Sequence, residues 1–332
     1  MTGSRHELKK YFLDYLLPSG SCDFELIPQD ASHRKYERVN CFNLSYILMD
    51  CPPKHYSLKP FIKVGNLLRD NNIKAPEIYH SDYESGFLLL EDFGKVRVKD
   101  ILNNDLNHNY VIYKSIVELL TQIQTIKTDL LPHHNLQILA EGIELFVDWF
   151  VPLKECNFDV QVARERMNEI RNKYKNFKSE YKEKWLYLLK DLKNDTVALR
   201  DFHVENLMKT SSSQLGVLDF QDAAMSEKSY DLASLLQDAR FNVPAKLESD
   251  IIKYYFDLNP QIEKEEFLTK YFLLAAQRNS RILGVFARKA ILDNQPKYIK
   301  LIPLVLSYLA RDLKHPSLRE INNDLNILKV FD

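Results

Sequence analysis

Residues 196–222 read TVALRDFHVENLMKTSSSQLGVLDFQD. Two short apolar runs, at 207–208 and 216–218, flank a polar, serine-rich turn at 210–214. That alternation of apolar run, turn and apolar run specifies a β-hairpin. A hairpin is the cheapest way to bring residues this far apart in sequence face to face. Its mouth carries Asn206 and Asp219, and Asp201 stands five positions before Asn206. Two carboxylates and a carboxamide suit Mg²⁺, a hard cation that takes oxygen ligands and is usually shared with substrate phosphates. The chemistry implied is phosphoryl transfer.

The rest of the chain must therefore frame such a site, and composition narrows how. The length of 332 residues fits one large domain or two lobes of ordinary size. A formal charge of −1 excludes polyanion binding driven by net charge, so no nucleic-acid partner is expected. Only 8 glycines occur, and none falls in G-x-G-x-x-G or Walker A spacing, which argues against a Rossmann dinucleotide site and a P-loop. Four cysteines, Cys22, Cys41, Cys51 and Cys156, show no C-x-x-C spacing. In a chain of this size they read as reduced thiols rather than a disulfide framework or a zinc site. No apolar run approaches the ~20 residues that span a bilayer. The N-terminus lacks the apolar core of a signal peptide, so the expected setting is cytoplasmic, with no membrane partner.

Periodicity divides the chain. Ser4 and Glu7 form a capping box ahead of an apolar stripe, placing a helix at about 5–17 that Gly20 ends. From 22 to 92 the pattern is of short strands, at 24–27, 36–42, 45–50, 77–80 and 86–91, with one inserted helix at 58–71. Strands with a single helix describe an antiparallel α+β lobe. Beyond Gly94 the spacing is helical, with segments at 110–128, 137–151, 159–193, 230–238, 245–258, 265–281, 284–292, 298–313 and 317–328. The fold class expected is α+β and bilobal: a nucleotide-binding lobe over 1–93 and a helical catalytic and substrate-binding lobe over 94–332.

Several stretches carry a resemblance. LRDFHVENLM resembles the catalytic loop of the aminoglycoside phosphotransferase family, VLDFQDA its metal-binding segment, and SYDLASLLQDAR the helix that follows. QDASHRKYERV, ILMDCPPKHYSLKPF, GFLLLEDFG, ELFVDWF and QRNSRILGVFAR resemble the bacterial cell-wall amino-sugar kinases within that family. The resemblance implies a protein-kinase-like fold, use of ATP and Mg²⁺, and a small sugar or amino-sugar acceptor phosphorylated at its anomeric hydroxyl. It implies no protein partner. Two rivals stay open: a kinase of another hydroxylated metabolite, such as an aminoglycoside or a choline-like acceptor, and a catalytically silent nucleotide-binding scaffold.

Carried over residue by residue, the resemblance makes Asp201 the catalytic base and Asn206 and Asp219 the Mg²⁺ ligands. His203 takes a structural hydrogen-bonding place, and Asp231 anchors the catalytic loop through backbone N–H groups. The backbone of Leu90, Glu91 and Asp92 faces the adenine edge. Ser32 and Arg34 belong to a glycine-free phosphate-covering loop. Two departures stand out: the third strand has no Lys, so that its charge comes from Lys63 or Arg34 or is absent, and Leu199 occupies a position usually held by His. Trp149, with Phe146 and Phe150, offers aromatic faces to a sugar, although helical spacing more often means core. Arg278, Asn279, Arg281 and Arg288 face either solvent or an anion such as a lactyl carboxylate.

Overall fold

A computed structural model describes residues 4–17, 22–28, 34–54, 57–211 and 214–331. Ser32 and Gly20 lie outside the described residues. The chain forms two compact units, Met1–Ile101 with Glu205–Asp222, and Leu102–Val204 with Ala223–Asp332.

The first unit opens with helix α1 (Arg5–Leu16), started by a capping box in which Ser4 and Glu7 exchange backbone and side-chain bonds. Strands β1 (Cys22–Ile27), β2 (Lys35–Cys41) and β3 (Leu44–Asp50) follow, then α2 (Lys59–Asp70), β4 (Ile78–Asp82), β5 (Phe87–Glu91) and the short α3 (Val98–Ile101). The strands make one antiparallel sheet in the order β1-β2-β3-β5-β4. Side chains alternate across a strand. Phe87 and Leu89 of β5 join Val39, Cys41 and Leu48 in a cluster with Phe12 and Leu13 of α1. Leu88 and Leu90, of opposite parity, are also buried, so both faces of β5 are covered. Arg5 fixes α1 at the sheet's end: it pairs with Asp50 at 2.5 Å and stacks 3.9 Å above the Phe87 ring.

The register places Cys22 directly opposite Cys41, Cα atoms 4.5 Å apart, and the two are joined as a disulfide. The expectation of four reduced thiols is corrected to two, Cys51 and Cys156, both buried. Spacing in sequence could not show this, because the pairing is a property of strand register.

The hairpin of Leu207–Lys209 and Leu215–Val217 belongs to this unit. Its outer amides explain why: Lys209 N–H donates to Val96 at 3.0 Å and Val217 N–H to Lys74 at 2.8 Å. Just beyond it, Phe220 packs on Phe61 of α2 with ring centroids 4.8 Å apart.

The second unit is helical: α4 (Leu106–Gln124), α5 (Leu136–Leu145), a π-helical turn (Phe146–Phe150), α6 (Val151–Glu155), α7 (Val160–Lys173), α8 (Lys175–Leu189), α9 (Tyr230–Leu236), α10 (Ala245–Leu258), α11 (Lys264–Ile291), α12 (Ile302–Asp312) and α13 (Arg319–Ile327). Side-chain N-caps open four of them, through Asp105, Asn135, Asp159 and Glu263. The only strands described in this unit, Thr196–Ala198 and Ala224–Ser226, pair antiparallel.

Helix α11 is 28 residues long and runs through the position of Gly284, where the sequence pattern suggested two helices. Gly284 is a contact point: a Cβ there would sit 2.4 Å from the Leu145 carbonyl carbon and 2.7 Å from the Phe146 amide nitrogen. The π-helical turn begins at that crossing. Around it, Phe146, Phe150, Tyr181 and Trp185 are fully buried. Burying a large side chain of this kind contributes about 1.5–3 kcal/mol.

Candidate active site

In the second unit, the strand Thr196–Ala198 delivers the chain to Leu199, Arg200 and Asp201. Arg200 has φ +71°, a left-handed conformation rarely adopted by a residue with a Cβ. Asp231, in the first turn of α9, holds it there. Its carboxylate accepts the Leu199 N–H at 2.6 Å and the Arg200 N–H at 2.9 Å. Burial pushes the Asp231 carboxyl up to about 7; the two amides oppose that push and the negative charge of Asp201 adds to it. Leu199 is itself buried, so in place of a polar side chain the loop has an apolar anchor. Asp201 remains partly exposed, while Phe202, His203 and Val204 behind it are buried.

His203 is held below its ordinary value by burial, with Asp238 and Asp201 pulling the other way. Asp238 is buried, and its Oδ1 caps the Arg240 N–H at 2.8 Å. It was not singled out from the sequence, although it sits inside the QDAR run that was quoted. Arg278 is buried, donates to the Gln237 carbonyl at 3.4 Å, and its charge acts on both Asp231 and His203.

The other proposed acceptor residues do not gather with it. Asn279 points into a closed network, donating to Gln237 Oε1 at 2.6 Å and Asp312 Oδ2 at 3.0 Å. Arg288 is exposed near the end of α11, about 15 Å along the axis from Arg278. Trp149 is half-buried with the Arg171 guanidinium 4.3 Å from its ring centre, and Phe146 and Phe150 are core.

In the first unit, Leu218 N–H donates to the Asn206 carbonyl at 2.8 Å, closing the mouth of the hairpin. Asp219 follows with φ +55°, the second strained non-glycine position of this stretch. Gln221 Nε2 bonds both Asp219 Oδ1 and Asp222 Oδ2 at 3.0 Å. Asn206 and Asp219 thus stand at one end of one hairpin. Among the described residues no cluster of three or more His, Cys, Asp or Glu side chains is arranged to hold a metal. A pair of oxygen donors fits Mg²⁺, which keeps waters and takes further oxygens from phosphate.

Tyr36 on β2 shares this region. Burial pushes its phenol up to about 12; Arg34 opposes the shift, partly through a hydrogen bond, and Asp219 adds to it. Arg34 likewise hydrogen-bonds the Cys51 thiol. Of the two candidates for the absent strand Lys, Arg34 is thus tied to the neighbourhood of Asp219, whereas Lys63 is exposed on α2. Tyr36 was legible only as one position of a strand.

The β5 segment is more committed than its sequence shows. Glu91 N–H donates to Glu77 at 2.9 Å, and the Glu91 carboxylate pairs with Lys74 at 2.6 Å. Leu90 pairs with Ile47 on one side and Ile78 on the other. The Asp92 side chain binds Arg38 and Ser45, each at 2.6 Å, and the Gly94 N–H at 2.8 Å. Burial raises the Asp92 carboxyl, but these partners outweigh it and hold the group below its ordinary value.

The sequence profile of the phosphotransferase enzyme family, APH, matches residues 23–267. The chain belongs to this family. It is a phosphotransferase with an antiparallel-sheet unit and a mainly helical unit, the organisation of its structural neighbours. A choline kinase from Streptococcus pneumoniae superposes with a TM-score of 0.63 at 15% identity, over 92% of this chain and 99% of that one. A spectinomycin phosphotransferase solved with ADP and its antibiotic gives 0.57 at 13% identity, over 89% and 90%. Among curated relatives, the N-acetylmuramate/N-acetylglucosamine kinase of Pseudomonas putida is 29% identical over 92% of this chain and 87% of its own. The enzyme of the same name from Neisseria meningitidis serogroup B is 29% identical over 91% and 89%. That from Caulobacter vibrioides is 26% identical over 90% and 89%. Among the described residues, no helix of this phosphotransferase is long and apolar enough to cross a membrane.

Proposed function

We propose that this phosphotransferase moves the γ-phosphoryl group of ATP to the anomeric hydroxyl of N-acetylmuramate or N-acetylglucosamine, in the cytoplasm, where ATP is supplied. The observation that carries the acceptor is the agreement of four relatives bearing that name, each aligned over about 90% of this chain. In this reading Asp201 accepts the hydroxyl proton as the bond to phosphorus forms and the bond to the leaving ADP oxygen breaks. An anomeric hydroxyl is more acidic than an ordinary alcohol, so a carboxylate base is adequate. Asp231 and the strained Arg200 backbone keep Asp201 aimed. Asn206 and Asp219 would hold Mg²⁺, which when bound neutralises charge on the β- and γ-phosphates. Gln221 orients Asp219 for that task. Arg34 supplies positive charge on the nucleotide side in place of a strand Lys, and the carbonyls and amides around Leu90, Glu91 and Asp92 border the adenine, with Glu91 N–H already engaged.

The test is a screen of purified protein with Mg·ATP against both amino sugars, simple hexoses, choline and an aminoglycoside, with Asp201→Asn as control. The expected product is a non-reducing sugar with an acid-labile phosphate. A reducing 6-phosphate overturns the anomeric assignment, and undiminished turnover by Asp201→Asn overturns the base. If no acceptor is phosphorylated, the silent-scaffold reading replaces this one.

A further inference from the structure

The two amino sugars differ in charge: N-acetylmuramate carries a lactyl carboxylate that N-acetylglucosamine lacks. An enzyme that takes both needs a place where a carboxylate is welcome and not required. The second unit contains such a place. Arg281 lies on α11 one turn beyond Arg278, on the same stripe of the helix. Its side chain is half-buried, and among the described residues its guanidinium has no hydrogen-bond or ion-pair partner. By contrast, Arg5 is matched by Asp50, the buried Arg38 by Asp92 and Arg311 by Glu248. A partly desolvated cation without an anion is costly unless a ligand brings one.

Arg281 is also held in position. Gly142 of α5 leaves room for its stem: a Cβ at that glycine would lie 3.0 Å from Arg281 Cδ and 3.3 Å from its Cβ. The stem therefore lies along the α5 backbone instead of sweeping solvent. The charge acts on a histidine that packs beside the helix anchoring the catalytic loop. His134 is buried, its Nδ1 3.1 Å from Ser226 Oγ and its ring packed edge-on against Tyr230. Burial holds this imidazole down to about 3, and the charges of Arg200 and Arg281 both reinforce the shift. Arg200 is the residue immediately before Asp201. The charges of both guanidinium groups thus act on one buried histidine, which packs on Tyr230, the neighbour of the loop anchor Asp231.

We propose that Arg281 is the anion-recognition point of the acceptor site and binds the lactyl carboxylate of N-acetylmuramate, making it a specificity-determining residue between the two sugars. This rests on the amino-sugar reading above. The guanidinium fork matches a carboxylate bidentately.

The test compares kcat and KM of wild type, Arg281→Gln and Arg281→Lys on N-acetylmuramate, its uncharged methyl ester and N-acetylglucosamine. Losing a charged hydrogen-bonded pair corresponds to a factor of about 10–100. Arg281→Gln should raise KM for N-acetylmuramate by that factor and leave N-acetylglucosamine within about threefold, as expected when only binding is lost. Arg281→Lys should recover part of the loss. Wild type should favour the acid over its ester, and Arg281→Gln should treat them alike. Equal losses on all three substrates, or a persisting acid-over-ester preference in Arg281→Gln, overturn the inference while leaving the amino-sugar reading intact. Failure of wild type to phosphorylate either sugar overturns both. Because the ester comparison is made within one protein, it remains decisive even if Arg281→Gln is partly unstable.

Discussion

Asp231 takes the amide of Arg200 at 2.9 Å and, with its other oxygen, the amide of Leu199 at 2.6 Å. The left-handed turn at Arg200 that precedes Asp201 is therefore tied from a different helix. A non-glycine residue in this conformation costs of order 1–3 kcal/mol and persists only when its surroundings demand it.

Removing the tie should release the turn. In Asp231→Ala two buried N–H groups lose their acceptor, at about 1–3 kcal/mol each. Asp231→Asn should fare little better, because its amide nitrogen would face one of the two donors. Both variants are expected to lower kcat on the order of 10²-fold with smaller changes in KM, since a misaimed base harms the transition state more than binding. Steady-state kinetics beside circular dichroism checks this. Near-normal kcat in a folded Asp231→Ala would show that the turn holds itself.

The disulfide gives a second expectation. Cys22 and Cys41, 19 positions apart in sequence, close a loop across β1 and β2. In the chain-entropy account a loop of this size is worth about 3 kcal/mol. The unreduced, denatured protein should expose only the thiols of Cys51 and Cys156 to a thiol reagent, and reduction should double that count. Cys22→Ser with Cys41→Ser should lower the unfolding midpoint of the sheet unit. Four reactive thiols before reduction would rule the bond out.

These two features show what kind of information the sequence carries. The strands β1 to β5 and α2 were legible within a few residues, because alternation and the 3.6-residue period report directly on which side of an element is buried. The hairpin was legible from its turn. The disulfide was not, since cysteine pairing follows from register between strands and not from spacing along the chain. Gly284 was misread for a related reason: a glycine in a helical pattern reads as a break, yet here it marks where another backbone crosses. The π-helical turn at Phe146–Phe150 left no periodic trace, although the spacing of its aromatic residues favoured core over a sugar platform, as Phe146 and Phe150 bear out. Asp238 acts through one hydrogen bond to a backbone amide and Gln221 through two to neighbouring carboxylates, and no pattern announces those.

The crossing at Gly284 is testable by adding one carbon. A Cβ there would lie 2.4 Å from a backbone carbon of Leu145, and backbone cannot rotate aside as a side chain can. Gly284→Ala should destabilise the helical unit by about 3 kcal/mol, the range for overpacking. Gly65→Ala on α2 serves as contrast. There the nearest atom is a ring carbon of Phe220 at 3.3 Å, and the gain in helix propensity offsets the squeeze. Urea unfolding should separate the two variants clearly. A Gly284→Ala protein as stable as Gly65→Ala would mean that α5 and α11 slide past each other freely.

His134 supplies a pH dependence whose sign is fixed by its burial. Its imidazole is held from 6.5 down to about 3, so the folded protein keeps it neutral while the unfolded chain protonates it. The associated stability is fully present above pH 6.5 and is lost as pH falls toward 3. The loss amounts to roughly 2 kcal/mol by about pH 5. Asp231 works in the opposite direction. Its carboxyl is raised from 3.8 to about 7, so its contribution is present at low pH and lost as pH rises through 7. The wild-type profile therefore mixes both signs, and a difference between proteins isolates one. His134→Gln keeps Asp231 and removes the titrating imidazole near Ser226. Its unfolding free energy should fall less steeply than that of wild type between neutral pH and about pH 5, by that same ~2 kcal/mol. Parallel profiles for the two proteins would mean that His134 takes up its proton alike in the folded and unfolded chain, and that burial does not hold it neutral.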